Sequence, residues 1–450
     1  MVRIVIENLG PFRRGSVELR PLTIVVGKNS VGKSMLLYLL WSTMSLAPDF
    51  STLGDLAASM GAMDLANAVM KLVTEGKNPS REFRELLKIY IRVLPKALAR
   101  SFEERLVKVF GVQLPKLLYR GSDRGRIVVE GASASIEFTI SSSGIDARFL
   151  SVDESLVDKY EAVVPVPGKL VVMLNGVVVD EGYVASLGDV ISVLMTVLGD
   201  FVVHALSPFF LTEYLCALLV DSRAGLARTL LKPFVDPSIA KGLLYADEQF
   251  IRLYYRLAEA LARGNVVLDL AEPLVRELGV ELVPVLEHGM YRLRVRTWTG
   301  YELPFEFAPS GVREAVITAL ALCARDSPRV VLIEEPEAHL HPRAQKAMAR
   351  LVARSVNVLG KLVVVSTHSD YIVYTLSNLI ALSRASERAR EVGYSENEVL
   401  KPENVAAYLV KQNGDAAELV ELEVSEEGID ESSFAEIVHE LADERVFASL

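Results

Sequence analysis

The stretch LTIVVGKNSVGKS, residues 22–34, decides how this 450-residue chain is read. Five apolar residues, Leu22 to Val26, predict a buried strand; Gly27 and Gly32 interrupt it; the apolar spacing from Ser34 to Met44 predicts a helix. Residues 27–34 fit the pattern G-x-x-x-x-G-K-[ST]. A glycine-rich turn between a strand and a helix lets the backbone wrap a phosphate chain, and the helix N-terminus aims its unpaired N–H groups inward. Gly27, Lys28, Asn29, Ser30, Val31, Gly32, Lys33 and Ser34 are therefore the expected cradle. Lys33 is expected on the β- and γ-phosphates of a nucleoside triphosphate and Ser34 on Mg2+. The bland alternative is a glycine-rich turn carrying an exposed lysine, and the strand–turn–helix context argues against it.

The last third supplies what such a cradle needs. In VVLIEEPEAHLHP, residues 330–342, a buried strand runs into two carboxylates, at the sheet edge where ligands of parallel sheets bind. Glu334 is expected in the Mg2+ shell and Glu335 as the base for an attacking water; Pro336 is expected to stop the strand and swing Glu337 away. His339 and His341 read as turn residues rather than a zinc pair, since the other histidines are scattered. In KLVVVSTHSDYI, residues 361–372, a second buried strand ends at His368, expected beside Glu335. In EFAPSGVREAV, residues 306–316, Ser310 and Gly311 open a further helix 24 residues before Glu334. Ser310 is expected to cap that helix, whose N-terminus also suits an anion. The chain already has one phosphate cradle, so this second one has no evident ligand of its own.

Composition bounds the rest. A formal charge of −10 argues against a surface that is wholly an electrostatic glove for nucleic acid, while leaving a local basic groove open. Cys216 and Cys323 sit inside apolar runs and read as buried thiols in a reducing interior. The start, MVRIVIENLGPF, lacks the layout of a signal peptide. The apolar run 191–220 is broken by Gly199-Asp200, Pro208 and Glu213, and is expected to form a buried helix, a turn and a buried strand rather than a membrane span. A cytoplasmic protein is the expectation.

Periodicity predicts two strands around the turn NLGPFRRG before the phosphate loop, helices over 51–118, short antiparallel strands over 126–184, and helices again to about Leu278. From there the rhythm is helix 311–325, strand 329–333, helix 342–358, strand 361–366, helix 370–377 and strand 378–383, the alternation of a parallel sheet with covering helices.

In motif order the chain resembles the soluble ABC-class ATPases of the SMC, RecF and OLD-like kind, specifically their short AAA-type group, on GKNSVGKS, the SG pair, EEPEAHLHP and THS. The resemblance implies an α/β P-loop fold of ABC-ATPase type: a mixed or parallel sheet core, an antiparallel β subdomain and helical insertions. It implies a single head with a phosphate-loop region at 1–48, a helical insertion at 49–120 and a β subdomain with the central strand at 121–230. A helical lobe at 231–290, the SG, acidic and histidine region at 291–385 and a tail at 386–450 complete it. It implies ATP and Mg2+ as ligands, Glu335 and His368 as catalytic, Ser34 and Glu334 on the metal, and a homodimer in which Ser310 and Gly311 meet the nucleotide of the opposing copy. An effector protein encoded nearby and a role in repair or defence are further implications, with nucleic acid left open.

The sequence departs from that pattern in places. The SG segment reads APSGVRE, no glutamine follows the central strand, where VDSRAG offers Ser222 or Arg223, and adenine contacts fall to Phe12, Arg13 and Arg14. The Mg2+-side acid is Glu334 where many relatives have Asp. The alternatives are the ATPase subunit of an ABC transporter or an OLD-like nuclease component, whose Toprim acids VSEEGIDESSF, residues 424–434, only partly echo.

Overall fold

The computed structural model describes residues 2–206, 214–221, 223–229 and 243–430. The chain divides into two compact units: unit 1 is Met1–Glu18 with Ser42–Glu213, and unit 2 is Leu19–Trp41 with Tyr214–Leu450. The predicted α/β class holds, with parallel and antiparallel strands and helices inserted between them.

Unit 2 is built on a sheet in which Leu22–Val26 is central. Leu362–Thr367 lies parallel on one side, followed by Val330–Glu334 and then Cys216–Leu219, also parallel. On the other side lie Val405–Asn413, parallel, and Ala416–Leu422, antiparallel. Every residue of the four strands from Cys216–Leu219 to Leu22–Val26 is buried, as expected of parallel strands covered on both faces. The register sets Val26 beside Thr367 and Glu334 beside Ser366, so three strands end level at their C-terminal edge. Helices Lys33–Met44, Ser310–Cys323, Pro342–Leu359 and Asp370–Ala381 follow or precede these strands. A small antiparallel sheet, Val280–Glu287, Met290–Thr297 and Glu302–Pro304, stands apart; its Arg294 and Arg296 pair with Glu302 and Glu281. Both cysteines are buried thiols, and burial pushes Cys323 up to about 12.

Unit 1 carries the strands Phe12–Leu19, Val2–Leu9, Arg124–Glu130, Ala134–Ser141 and Gly144–Val152 in that spatial order, and a separate meander of Tyr160–Val163, Lys169–Leu174 and Val177–Tyr183. Its helices are Phe50–Ser59, Ala62–Thr74, Ser80–Phe110 and Leu187–Ala205. Leu187–Ala205 is, among the described residues, the one single helix long and apolar enough to cross a bilayer. It buries one stripe, including Val190, Leu194, Val197 and Phe201, against its neighbours in the unit. The predicted strand after it is Cys216–Leu219, while residues 207–213 of that stretch lie outside the described residues.

Two sequence expectations are corrected. Residues 378–383 form no strand: the helix runs on through Ala381 and passes into the 3-10 segment Leu382–Val392. Leu376, Leu379 and Ile380 are buried at helical spacing, which a short apolar run alone does not distinguish from a strand. The turn NLGPFRRG is also tighter than expected, because pairing resumes at Phe12 and leaves Arg13 and Arg14 inside a strand.

Candidate functional site

The residues 27–34 connect the central strand to the helix Lys33–Met44 in unit 2, where the sequence predicts the cradle. Gly27 has φ +148°, and a Cβ there would stand 2.3 Å from the Val410 carbonyl oxygen, so the neighbouring strand admits only glycine. Lys33 is buried and folds back over the loop: its Nζ donates to the carbonyls of Gly27 at 3.0 Å and Lys28 at 2.9 Å. The same Nζ is 2.9 Å from His368 Nε2. Burial pulls the Lys33 ammonium below its ordinary range, against the opposing pull of Glu335, Glu337 and Glu334.

Glu334, the last residue of its strand, is buried at the sheet edge and hydrogen-bonded by the Ser34 hydroxyl. Burial raises its carboxyl, Ser34 pulls it down, and nearby Asp221 adds a like charge. The Tyr38 hydroxyl, one helical turn beyond Ser34, also bonds Glu334 and is itself pushed up by burial. Glu335 follows in a left-handed conformation, φ +42°, with its N–H still bonded to the Ser366 carbonyl at 2.9 Å. That backbone turns the carboxylate off the strand direction, and Oε1 comes within 3.2 Å of His368 Nε2. Lys33, His368 and Glu335 thus form a short chain across three strand ends. They line, with Asn29, Ser30, Gly32, Ser34 and Glu337, a cleft of about 650 Å³, within the range of small-ligand sites.

Glu337 does not swing away. Its Oε1 accepts the His368 backbone N–H at 2.7 Å, and burial raises its carboxyl against that bond. Pro336 stops the strand, but the turn through Ala338 and Leu340 folds the chain back toward the His368 strand.

Ser310 is not the cap of its helix. It is the first helical residue, and the cap position is Pro309, whose side chain makes no capping bond. Ser310 and Gly311 are half-buried and are not among the residues lining the cleft of their own unit. Gly311 lies so close to the acidic-strand loop that a Cβ would meet the His339 carbonyl oxygen at 2.7 Å. His341 caps the helix Pro342–Leu359, accepting from the Arg343 N–H, and His339 is exposed.

Arg223, the described residue of the VDSRAG pair, is fully buried; Ser222 lies outside the described residues. Its guanidinium donates to the carbonyls of Val220 at 2.6 Å, Glu334 at 2.7 Å and Glu335 at 3.0 Å. Its Nε stands 2.9 Å from Glu314 Oε2 as an ion pair lying off the hydrogen-bond direction. The helix that starts at Ser310 is therefore tied, through Glu314 and Arg223, to the backbone of both strand-end carboxylates.

The adenine candidates lie in unit 1 and are engaged there. Phe12 is buried, Arg13 donates to the Tyr119 hydroxyl at 2.9 Å with its guanidinium 5.2 Å from that ring, and Arg14 pairs with Glu7 at 3.5 Å. A larger cavity of about 740 Å³ in unit 2, beside Arg276, Glu281 and Trp298, carries no phosphate-loop residue.

Tyr38 and Glu337 escaped the sequence reading. Tyr38 had one signal, its position four residues after Ser34 on one helix face; Glu337 had none that separates it from a solvated turn carboxylate.

No curated protein sequence matches the chain. Three solved structures are similar over nearly its whole length. They are a SmcHead bound to the C-winged helix domain of ScpA (12% identity, 94% of this chain and 97% of that one, TM-score 0.44), an Smc head domain with an extended coiled coil bound to the C-terminal domain of ScpA derived from Pyrococcus furiosus (11%, 98% and 100%, 0.45), and the SMC head domain from Thermotoga maritima (9%, 94% and 98%, 0.38). With TM-scores under 0.5, the fold rests on the strand order above and not on these likenesses. Residues 270–373 match the family profile described as AAA ATPase domain, a segment that holds Ser310, Gly311, Glu334, Glu335 and His368. That match covers 104 of the chain's 450 residues and marks this segment as similar to AAA ATPase domains.

Proposed function

We propose that the chain binds ATP with Mg2+ in the cleft at the strand ends of unit 2, hydrolyses it, and works as a switch. In this reading two copies close on two nucleotides, and Ser310 with Gly311 of each completes the site of the other. The observation that carries it is the meeting of Lys33, Ser34, Glu334, Glu335 and His368 at one edge of one parallel sheet. The uncapped, half-exposed helix start at Ser310 supports the closure in trans, since it offers an anion site outside its own cleft.

Each residue then has a task. Lys33, drawn off the Gly27 and Lys28 carbonyls, neutralises the terminal phosphates. Ser34 and Glu334 would hold Mg2+, and the fit is good: a hydroxyl and a buried carboxylate already in contact are hard oxygen donors of the kind that cation takes. Mg2+, when bound, supplies positive charge against the phosphate oxygens as negative charge shifts to the leaving group. Glu335 orients the attacking water and takes its proton, its carboxylate already turned into the cleft by the backbone. His368 donates a hydrogen bond to the γ-phosphate or to the water. Arg223 fixes the carbonyls beneath Glu334 and Glu335.

Glu335→Gln is expected to bind ATP, to lose turnover by about a hundredfold or more, and to accumulate dimer in the presence of ATP. Phosphate release and light scattering read both effects, and undiminished turnover in this variant removes Glu335 from its role. The homodimer, a cytoplasmic location and the coupling of the switch to a nearby-encoded effector or to repair or defence on nucleic acid are parts of the same proposal. Of the alternatives, a transporter subunit calls for co-purification with a membrane protein. A nuclease component calls for cleavage of plasmid by the purified protein with Mg2+ or Mn2+.

A further inference from the structure

We propose that Glu337 is a positioning residue for His368, acting through the backbone N–H that its carboxylate accepts. The inference rests on reading the cleft as a hydrolytic nucleotide site and assigns a role to a residue outside the expected set. His368 sits between the last strand residue, Thr367, and the helix cap Ser369, so its N–H has no ladder partner in the sheet. Glu337 Oε1 accepts that N–H at 2.7 Å. A carboxylate is a stronger acceptor than a neutral carbonyl, which makes the tie well suited to fixing an angle.

A second tie lies next to the first. The Ser369 hydroxyl donates to Gln345 Oε1, while Gln345 Nε2 donates to the Leu340 carbonyl at 2.9 Å. The turn at His368–Ser369 and the loop from Glu335 to His341 are clasped at two points. The two ties hold the loop that carries Glu335 against the turn that carries His368, and Glu335 Oε1 and His368 Nε2 meet there at 3.2 Å. The Lys33 ammonium bonds the Gly27 and Lys28 carbonyls and His368, not Glu337. Glu337 also adds negative charge near Lys33; that effect persists when His368 is removed, whereas a positioning effect does not.

The test compares Glu337→Ala, Glu337→Gln, His368→Ala and the Glu337→Ala/His368→Ala pair in the full chain. Glu337→Ala is expected to lower kcat for ATP about tenfold to a hundredfold with KM little changed. Glu337→Gln keeps an acceptor oxygen and is expected to restore most of that loss. In the His368→Ala background the alanine at 337 should cost about twofold or less, because the residue it positions is gone. The backbone amide of His368, followed by NMR, should move upfield and exchange faster in Glu337→Ala. Wild-type turnover in Glu337→Ala, an equal loss in the His368→Ala background, or a glutamine as inactive as alanine would each overturn the proposal. Should the wild-type protein hydrolyse no ATP, the function above fails; the His368 amide still decides the tie, and an unmoved resonance refutes it.

Discussion

Glu335 holds φ +42° without being glycine, a conformation that costs on the order of 1 kcal/mol for an ordinary side chain. Glu335→Gly should therefore raise the unfolding free energy by about that amount while abolishing phosphate release, a pairing that urea melts and a turnover assay detect together. Gly311→Ala should do the reverse: the new methyl meets the backbone of the acidic-strand loop, 2.7 Å from the His339 carbonyl oxygen, and the helix start must shift. A loss of about 1–3 kcal/mol is expected, with nucleotide binding by the cradle retained. Lys361 offers a check on burial. Its ammonium is pulled down to about 8, first by burial, among Cys323, Arg329 and Asp326 and against the Pro328 carbonyl. Between about 8 and 10.5 the unfolded chain holds a proton that the folded one lacks, so stability rises with pH in that window and the penalty is complete below it. Relative to Lys361→Met, wild-type stability should climb across that window; a flat difference in melts contradicts a buried, depressed lysine.

Among elements, the buried pair of Arg223 and Glu314 links the helix that starts at Ser310 to the carbonyls of Glu334 and Glu335. Removing one partner leaves a charge without its counterion in a dry place. Arg223→Met or Glu314→Gln alone should cost about 3–5 kcal/mol, and the double variant less than the sum, as a double-mutant cycle in urea would show. The elements themselves were largely legible. Buried strands ending at Val26, Glu334 and Thr367 announce themselves as apolar runs rich in β-branched residues, and Gly27, Gly32 and Pro336 punctuate them. What the sequence withheld depends on tertiary approach. Residues 378–383 are apolar enough for either a strand or a helix, and only burial on one helical face decides. The tie of Glu337 to the His368 N–H joins residues 31 apart in sequence, which no local spacing encodes.

For the molecule as a whole, the charge and the site argue together. The net charge is −10, and the site gathers Glu334, Glu335 and Glu337 around Lys33. A triphosphate entering there needs more positive potential than one chain's cleft presents, which suits a bound cation and the helix N-terminus of a second copy. The most direct measurement mixes two inactive variants. Glu335→Gln is expected to bind without hydrolysing, and Ser310→Arg to block the helix start that closes the opposing cleft in the proposed dimer. If Ser310 acts across the dimer, a mixed pair contains one intact site, formed by the Ser310→Arg copy's own Glu335 and its partner's serine. Mixing equal amounts should then restore about a quarter of wild-type phosphate release, half the dimers carrying one working site of two. Release no greater than the average of the two variants alone would contradict closure in trans.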